Sequence, residues 1–412
     1  MMTVKVAILG FGTVGEGVYR TIQTHESELE ALLGKKVEVA AVLIKNNQKE
    51  RKIAKDVLIT TDFNEIINLS QLDIVVDAIV GKDPAFNYLK QAIERGCHII
   101  TANKEMFAHH GKELLDLAEE HQVSIGFEAT VAGGVPIIQT LRQLLKVNRV
   151  QQIQGIVNGT SNFILTEMRE KKQSFADALK LAQEKGFAEA DPTNDVEGFD
   201  AFYKLMVLSR VAFGNAPNWK AVERVGITSI TSDLIETADQ LGFRFKHVVS
   251  IQKEGDKLIG SVRPVLVSKS HPFYHVEGVE NAVNVFSDIV GRITLQGPGA
   301  GMFPTASAVI EDLVYVSQSN QQNKLQTNPV IEVLPLAAGS VNNFWLISGV
   351  SKTELSPSIH PVDQVSDQTF IVETTDEEIL QKAKEFPSLS YYPILDGTQI
   401  LQNKKEYLTV TI

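Results

Sequence analysis

One stretch of the chain places five carboxylates near a single lysine. It spans residues 187–204 and contains Glu189, Asp191, Asp195, Glu197, Asp200 and Lys204. Thr193 or Asp195 is predicted to cap a helix that runs to about residue 213. On that helix Asp200 and Lys204 are four residues apart and share one face. A carboxylate positions such a lysine and burial lowers its pKa, so Lys204 could shuttle a proton while the other acids hold an ammonium group. An exposed i,i+4 ion pair explains the same spacing equally well.

A glycine-rich loop follows the first predicted strand, residues 3–9. The loop consists of Gly10, Phe11, Gly12, Thr13, Val14 and Gly15. A helical pattern over residues 16–33 comes directly after it. In this setting Gly10 permits a tight turn, Gly12 lets the backbone approach a pyrophosphate, and Gly15 lets the helix pack closely on the strand. The order of strand, loop and helix therefore predicts dinucleotide binding.

The end of the second predicted strand, residues 37–44, bears on the choice of cofactor. A carboxylate at this point usually binds the ribose hydroxyls of NAD, whereas cations accept the 2'-phosphate of NADP. No carboxylate occupies the expected position here, and the basic residues within reach are Lys45, Lys49, Arg51 and Lys52. The pattern favours NADP(H) over NAD(H), with Lys45 and Arg51 as cofactor contacts. A solvated basic loop is the alternative.

Strand and helix signals continue to alternate through the first third of the chain. Strands are predicted over residues 73–80, 98–102 and 124–129, and helices over residues 84–95 and 111–121. This alternation predicts a doubly wound parallel sheet, whose ligands bind beyond the carboxyl ends of the strands. Asn103 and Lys104 follow such an end, so Lys104 could meet the nicotinamide or the substrate, or be an ordinary surface lysine. Adjacent His109 and His110 do not share a helix face, which favours a solvated helix start over a metal site.

The composition limits the possible functions. A chain of 412 residues predicts two or three domains. Its net charge of -11 argues against a nucleic-acid partner. The single cysteine, Cys97, precedes an apolar strand, so we expect it to pack in a core and to form neither a disulfide nor a zinc cluster. We find no signal peptide and no run of ~20 apolar residues, so we expect a cytoplasmic protein without a membrane partner.

Two segments in the middle of the chain are rich in small and polar residues. Residues 128–136 could turn carbonyl oxygens toward a cation or form a close crossover between domains, and from the residues alone the crossover is favoured. Residues 158–162, Asn-Gly-Thr-Ser-Asn, suit both a helix cap and a ligand-binding loop.

Together these motifs resemble those of homoserine dehydrogenases, in the order of that family over residues 3–318. The matching blocks are GFGTVG at 10–15, TANK at 101–104, EATV at 128–131, NGT at 158–160, the acidic stretch at 189–204, GPGAG at 297–301 and PTAS at 304–307. The resemblance implies reversible, NAD(P)-dependent interconversion of L-homoserine and L-aspartate 4-semialdehyde, on the route to threonine, methionine and isoleucine. It also implies an α/β fold with a Rossmann-type doubly wound domain.

The resemblance assigns roles to individual residues. It makes Lys204 the acid/base and Lys104 a second contributor near the cofactor. Glu189, Asp195 and Asp200 match positions that bind homoserine or orient the lysine, whereas Glu197 is expected to face solvent. Gly301 matches the return of the chain to the cofactor.

The resemblance also revises the interpretation of residues 128–136. It implies a monovalent cation site, with sodium as the expected ion, formed by the backbone of Glu128, Val131, Gly133 and Val135. It further implies a homodimer joined through an extended sheet, to which residues 264–295 are expected to contribute.

We therefore expect three parts. A dinucleotide-binding domain would comprise residues 1–130, completed by about 299–318, and an α+β catalytic and dimerisation domain residues 131–298. Residues 319–412 would form a small C-terminal α+β module, which looks like a degenerate ACT domain. A polar linker or helix end is expected over residues 317–328. Residues 351–361 lack the Pro-Gly turn that opens the first ACT helix, which leaves threonine inhibition open.

Two other functions deserve comparison. An aspartate-semialdehyde dehydrogenase needs a catalytic cysteine in a loop, and Cys97 is poorly placed for that role. A catalytically inactive NADPH-binding regulator could use the same scaffold, but the presence of Lys104, Glu189, Asp200 and Lys204 argues against it.

Overall fold

The fold is described from a computed structural model that covers residues 3–46, 50–255, 257–318, 343–355 and 359–396. Most of the predicted linker at 317–328 lies outside these residues, as do Lys49 and part of the segment 351–361. Among the helices described, none is long and apolar enough to cross a membrane.

The first part of the chain forms a six-stranded parallel sheet with helices on its faces. In chain order its elements are β1 (Thr3–Leu9), α1 (Thr13–Thr24), α2 (Glu26–Leu33), β2 (Lys36–Leu43), β3 (Leu58–Thr60), α3 (Phe63–Ile67), β4 (Ile74–Asp77), α4 (Ala85–Glu94), β5 (His98–Thr101), α5 (Lys104–Glu120) and β6 (Ile125–Gly126). The strand order is β3-β2-β1-β4-β5-β6, and each neighbouring pair is parallel. The order reverses between β1 and β4, so the carboxyl ends of these strands flank the crevice in which such sheets bind ligands.

The predicted doubly wound sheet is thus present, with several boundaries corrected. α5 begins at Lys104 and not at 111, because the Asn103 side chain caps it by accepting the Met106 N–H at 3.0 Å. The helix predicted over residues 16–33 is broken into α1 and α2 at His25. The strand predicted over 124–129 is reduced to β6, after which the chain turns at Glu128–Thr130. β3 and α3 were not predicted.

The rest of the described chain builds a ten-stranded mixed sheet and its helices. In chain order its elements are α6 (Ile137–Leu144), β7 (Val150–Ile156), α7 (Gly159–Lys171), α8 (Phe175–Glu184), α9 (Thr193–Val196), α10 (Phe199–Phe213), β8 (Glu223–Arg224), α11 (Ser232–Gln240), β9 (Phe243–Glu254), β10 (Lys257–Ser268), β11 (Glu280–Ser287), β12 (Gly291–Pro298), α12 (Met302–Gln318), β13 (Asn343–Ser348), β14 (His360–Ser366), β15 (Thr369–Thr374), α13 (Asp376–Glu385) and β16 (Ser390–Leu395). The strand order is β12-β11-β7-β9-β10-β16-β13-β15-β14, with β8 beside β10.

One connection joins the two sheets, and a second attaches the C-terminal strands to the ten-stranded sheet. α12 returns to the first sheet and packs along α1, where a Cβ on Gly17 would lie 2.7 Å from the Met302 carbonyl oxygen. Val309 of α12 and Val18 of α1 are buried in the same apolar cluster. The C-terminal strands, for their part, extend the second sheet through the parallel pair β10 and β16, in which Leu266 lies opposite Ile394. The tail is α+β as predicted, but it shares its sheet with the preceding domain.

The predicted fold class is therefore confirmed. The protein is α/β, with a Rossmann-type parallel-sheet domain, a second domain built on a mixed sheet and a C-terminal α+β region. The Rossmann-type domain presents α5 to α10 of the second domain, where Arg210 Nη1 donates to the Phe107 carbonyl oxygen at 3.4 Å. This contact joins the beginning of α5 to the last turn of α10.

Candidate active site

The centre of the site is a buried carboxylate that bridges two lysines from different domains. Asp200 lies in the first turn of α10 and is only 6% exposed. Its Oδ2 lies 2.7 Å from Nζ of Lys204, one helical turn further on. Its Oδ1 lies 3.1 Å from Nζ of Lys104, the first residue of α5. The structure therefore brings together the three residues predicted to be catalytic.

The two lysines have different environments. Lys204 is buried, and its Nζ also donates to the Val157 carbonyl oxygen at 2.6 Å. Burial lowers the pKa of Lys204, although the Asp200 carboxylate opposes this shift. The Lys104 side chain is 45% exposed, and the attraction of Asp200 raises the pKa of its ammonium group. Lys204 therefore releases a proton more readily than Lys104 does.

The acids of the cluster also differ in charge state. Burial alone would raise the pKa of Asp200, but Lys204 and Lys104 together hold that pKa well below its usual range. Asp195 has the opposite shift, because burial and then the nearby negative charge of Asp200 raise its pKa. Asp200 is thus a permanent anion, whereas Asp195 would gain from a cationic partner.

Asn158 connects these acids to the second sheet. It follows β7, and its Oδ1 caps α7 by accepting the Ser161 N–H at 2.8 Å. Its Nδ2 donates to Asp195 Oδ1 at 2.7 Å and to Asp200 Oδ2 at 2.9 Å. The polar segment 158–162 was predicted to suit a helix cap or a ligand loop. The amide group of Asn158 caps the helix and also contacts Asp195 and Asp200. Sequence reasoning noted this segment but did not list Asn158 among the candidate site residues.

The remaining members of the acidic stretch lie farther from the lysines. Glu189 is exposed on the loop after α8, within electrostatic range of Lys104, whose pKa it helps to raise. Glu197 was predicted to face solvent, but it is half-buried and its Oε1 accepts a hydrogen bond from Thr228 at 3.1 Å. The predicted cap by Thr193 or Asp195 is wrong. The helix is divided into α9 and α10 at Gly198, whose φ of 78° favours glycine.

The glycine loop has the geometry of a phosphate-binding turn. Gly10 adopts a φ of 93°, and its N–H donates to the Leu43 carbonyl oxygen at 3.0 Å. A Cβ on Gly15 would lie 2.0 Å from the Gly10 carbonyl oxygen, so only glycine permits this contact between helix and loop. A Cβ on Gly12 would meet no described atom within 4 Å. Gly12 therefore borders open space at the N-terminus of α1, where a pyrophosphate can bind.

The predicted 2'-phosphate contacts lie beside this loop. Lys45 is exposed and follows the buried end of β2, where the Ile44 N–H donates to the Thr60 carbonyl oxygen at 2.9 Å. The chain near Arg51 is attached to α1 because the Ala54 N–H donates to the Tyr19 hydroxyl at 2.8 Å. Lys45 therefore lies at the end of β2, where the adenosine ribose lies in folds of this type, and Arg51 lies three residues before the contact of Ala54 with α1.

The predicted cation site lies at the crossover between the domains. The Glu128 carboxylate accepts the N–H groups of Ile138 and Gln139, each at 2.8 Å, at the start of α6. The Glu128 side chain thus holds the start of α6, which leaves its backbone oxygen as the group expected to face an ion. The carbonyl oxygens of Val131 and Gly133 accept no hydrogen bond from any other part of the chain that the structure describes.

Glycines hold this crossover against the loop that precedes α12. Gly133 has a φ of 60°, and a Cβ there would lie 2.3 Å from the Gly299 carbonyl oxygen. The Gly134 N–H donates to the Pro298 carbonyl oxygen at 3.0 Å. Gly301, at a φ of 118°, then begins the turn into α12. The loop that contains Gly301 is thereby fixed beside the crossover.

Two other predictions have clear outcomes. Cys97 is fully buried, its Sγ donates to the Leu72 carbonyl oxygen at 3.2 Å, and burial raises its pKa to about 11. It is a packing residue and not a nucleophile. His109 and His110 lie within α5 and not at its start. The centroid of the His109 ring lies 4.4 Å from that of the Trp219 ring, in a contact between the two domains.

Comparisons with known proteins agree with this arrangement. The family model described as "Homoserine dehydrogenase" matches residues 136–314, and "Homoserine dehydrogenase, NAD binding domain" matches residues 10–128. The homoserine dehydrogenase of Neisseria gonorrhoeae is 42% identical over 318 residues, which are 77% of this chain and 73% of that protein. The enzyme of Bacillus subtilis is 41% identical over 321 residues, 77% of this chain and 74% of that protein.

Solved structures give the same result over more of the chain. A homoserine dehydrogenase from Thiobacillus denitrificans superposes with a TM-score of 0.87 at 33% identity, covering 96% of this chain and 99% of that one. A hyperthermophilic archaeal homoserine dehydrogenase in complex with NADPH has a TM-score of 0.67 at 28% identity, over 78% of this chain and 100% of that one. The chain therefore belongs to the homoserine dehydrogenases, which are NAD(P)-dependent oxidoreductases that interconvert L-aspartate 4-semialdehyde and L-homoserine in amino-acid biosynthesis.

Proposed function

We propose that Lys204 is the general acid/base of this reaction, with Lys104 as the second contributor. The observation that supports this proposal is the single buried carboxylate of Asp200, which holds both ammonium groups at one point between the domains. Bound NADPH would supply the hydride to the aldehyde carbon. Lys204 would donate a proton to the aldehyde oxygen, since burial makes it the more acidic of the two lysines. Lys104 would polarise the same oxygen and keep its own proton.

Asp195 and Glu189 would bind the ammonium group of the substrate. Asp195 is held at 2.7 Å by Asn158, and its charge is unfavourable in the pocket by itself. A substrate cation would offset both the burial and the repulsion from Asp200. Glu189 adds a second negative charge at the exposed entrance. The selectivity for an amino alcohol would come from these two acids.

NADP(H) is the proposed cofactor, in preference to NAD(H). The glycine loop fits a pyrophosphate, because Gly12 leaves open space at the N-terminus of α1. Gly10, Phe11, Thr13, Val14, Gly15 and Gly301 would complete the cofactor contacts. Lys45 and Arg51 would pair with the 2'-phosphate, and a charge-assisted pair of this kind distinguishes a phosphate from a hydroxyl.

A monovalent cation, with sodium as the expected ion, would bind the backbone oxygens of Glu128, Val131, Gly133 and Val135. A set of neutral carbonyl oxygens suits a hard cation of low charge. Two of these oxygens lack other hydrogen-bond donors in the described structure, which supports the assignment. The ion would stabilise the crossover where Gly133 packs on Gly299, and so hold the two domains in register.

The resemblance to homoserine dehydrogenases also supports a homodimer that forms through the second sheet, to which residues 264–295 would contribute. β12 is an edge strand of that sheet in the described chain, and exposed side chains alternate along it. The proposed domains are residues 1–130 with 299–318, residues 131–298, and a degenerate ACT-like region over 319–412. Sedimentation velocity would test the dimer, and an inhibition curve with L-threonine would test feedback by the last region.

The activity and its cofactor can be tested in one assay. Purified protein is incubated with L-homoserine and either NADP+ or NAD+, and the absorbance of the reduced nicotinamide is followed. Homoserine should be oxidised, alcohols without the amino group should react poorly, and the KM should be lower for NADP+. Equal rates with such alcohols would refute the role of Asp195 and Glu189, and a clear preference for NAD+ would refute that of Lys45 and Arg51. Replacing Na+ by tetramethylammonium should lower both the rate and the melting temperature, whereas unchanged values would contradict the cation site.

A further inference from the structure

A fully buried carboxylate lies one strand away from the proposed site, and among the described residues no cation is paired with it. Asp77 is the last residue of β4 and is 0% exposed. In the described structure its hydrogen bonds come from neutral donors, which are the Ile79 N–H at 3.0 Å, the Thr101 hydroxyl at 2.9 Å and the Asn103 side-chain amide. An isolated charge is costly to bury, and burial raises the pKa of Asp77 to about 6. Because burying this carboxylate is unfavourable, packing alone does not explain its presence at this position.

The hydrogen bonds of Asp77 lead directly to the turn that carries Lys104. The Thr101 hydroxyl that donates to Asp77 also accepts the Asn103 N–H at 3.0 Å. Asn103 Nδ2 donates to the Gly81 carbonyl oxygen at 2.7 Å, in the turn that Asp77 fixes through Ile79. The ends of β4 and β5 are therefore joined in a closed ring of hydrogen bonds. Lys104 is the residue that follows the ring.

Asn103 connects the ring to the position of Lys104. Its side-chain oxygen caps α5, so the ring fixes both the start and the direction of that helix. The Lys104 side chain must then reach across the domain boundary to Asp200 at 3.1 Å. Displacing the turn by a fraction of that distance would break the contact, and misplacements of about 1 Å can reduce turnover by about 100-fold.

We propose that Asp77 is a positioning residue for Lys104, acting through Thr101 and the turn at Asn103. The negative charge of Asp77 sets the direction of the hydrogen bonds in the ring, because a carboxylate accepts from both the Ile79 N–H and the Thr101 hydroxyl. An amide in its place would direct an N–H at one of these donors. The inference rests on the proposed role of Lys104 in the reaction.

The test is a double-mutant cycle of Asp77→Asn and Lys104→Met, with kcat and the KM for NADPH measured for each variant. Asp77→Asn should lower kcat roughly 10- to 100-fold, as the loss of supporting contacts does in other active sites. The KM for NADPH should change less than kcat, because the hydrogen bonds of Asp77 lead to Lys104, although its neighbour Ala78 packs on Gly10 of the glycine loop. In the Lys104→Met background the same substitution should have no further effect, because the group that it positions is gone.

The outcomes separate this inference from the function on which it rests. Wild-type turnover in Lys104→Met alone would overturn the role of Lys104 and the inference with it. A reduced kcat in Lys104→Met, with losses that multiply in the double variant, would overturn only the inference.

Two threonines provide a second variant and a matched control. Thr101→Val breaks the ring by removing one donor to Asp77 while the carboxylate stays in place. It should lower kcat in the same way, so it serves if Asp77→Asn fails to fold. Thr60 is also buried at the end of a strand, and its hydroxyl accepts the Asp62 N–H at 2.9 Å. Thr60→Val should keep the kcat of the wild type. Equal losses of kcat in the two threonine variants would contradict a specific role for the ring.

Discussion

Replacing Lys204 by methionine tests the central assignment. The substitution keeps most of the buried stem and removes the ammonium group that contacts Asp200 at 2.7 Å and the Val157 carbonyl oxygen at 2.6 Å. If Lys204 is the general acid/base, kcat should fall by roughly 10²- to 10⁴-fold. That range corresponds to about 3–5 kcal/mol of transition-state stabilisation. Binding of NADPH should be retained.

The effect on stability should be smaller than the loss of a buried partner usually causes. Removing one member of a buried ion pair typically destabilises a protein by about 3–5 kcal/mol, because the other charge is left uncompensated. Here Asp200 keeps Lys104 at 3.1 Å and Asn158 at 2.9 Å. The variant should therefore fold, and its kcat should report on chemistry.

Lys246 offers a matched control. It is 2% exposed, its Nζ donates to the Val276 carbonyl oxygen, and Glu277 lies 3.4 Å away. Its surroundings thus resemble those of Lys204 in burial, carbonyl contact and neighbouring acid. Lys246→Met should lower the melting temperature and leave kcat unchanged. The assay is initial rates with saturating NADPH and semialdehyde, combined with NADPH titration by fluorescence. A Lys204→Met enzyme within tenfold of wild type, or a Lys246→Met enzyme equally impaired, would refute the reasoning.

Three further predictions concern other parts of the protein. In steady-state kinetics Lys45→Ala and Arg51→Ala should each raise the KM for NADPH roughly tenfold or more, because each removes a hydrogen bond to a charged group. The KM for NADH should not change. Burial lowers the pKa of His247 to about 4, so the unfolded chain takes up the proton first and stability declines as pH falls from about 6.5 toward 4. Urea unfolding should show wild type losing about 2 kcal/mol relative to His247→Gln between pH 7.5 and pH 5. Cys97→Ala should keep its kcat, and a loss of 100-fold would point to cysteine chemistry.

The cofactor loop was predictable because its determinants are local. Gly10 is required by its own φ of 93°, Gly15 by its contact with the Gly10 carbonyl oxygen, and Gly12 by the open space needed for a ligand. The alternation of strands and helices was equally informative, since β1, β2, β4 and β5 appear as largely apolar runs, whereas β3 is only three residues long and was missed. The same local reasoning correctly placed Cys97 in a core.

Boundaries failed where a side chain far from the apolar pattern sets the end of an element. Asn103 starts α5 seven residues before the predicted position, because its cap outweighs the weak helical signal of the residues that follow. Gly198 splits the predicted helix of the acidic stretch, since a left-handed residue cannot continue it. The correction matters for function, because Lys104 and Asp200 both lie in the first turns that these residues define.

The pairing of Lys104 with Asp200 could not be deduced from spacing, because the two residues belong to different domains. The sequence indicates only the i,i+4 relation of Asp200 to Lys204, which an exposed helix would show as well. What makes the pair a candidate site is the docking of α5 against α10, together with Asn158, which brings Asp195 to the same point. Chemistry at such a point depends on the domain contact. We expect the close packing of Gly133 on Gly299 and the return of α12 to α1 to support that contact, so substitutions there should lower kcat although no reacting group is touched.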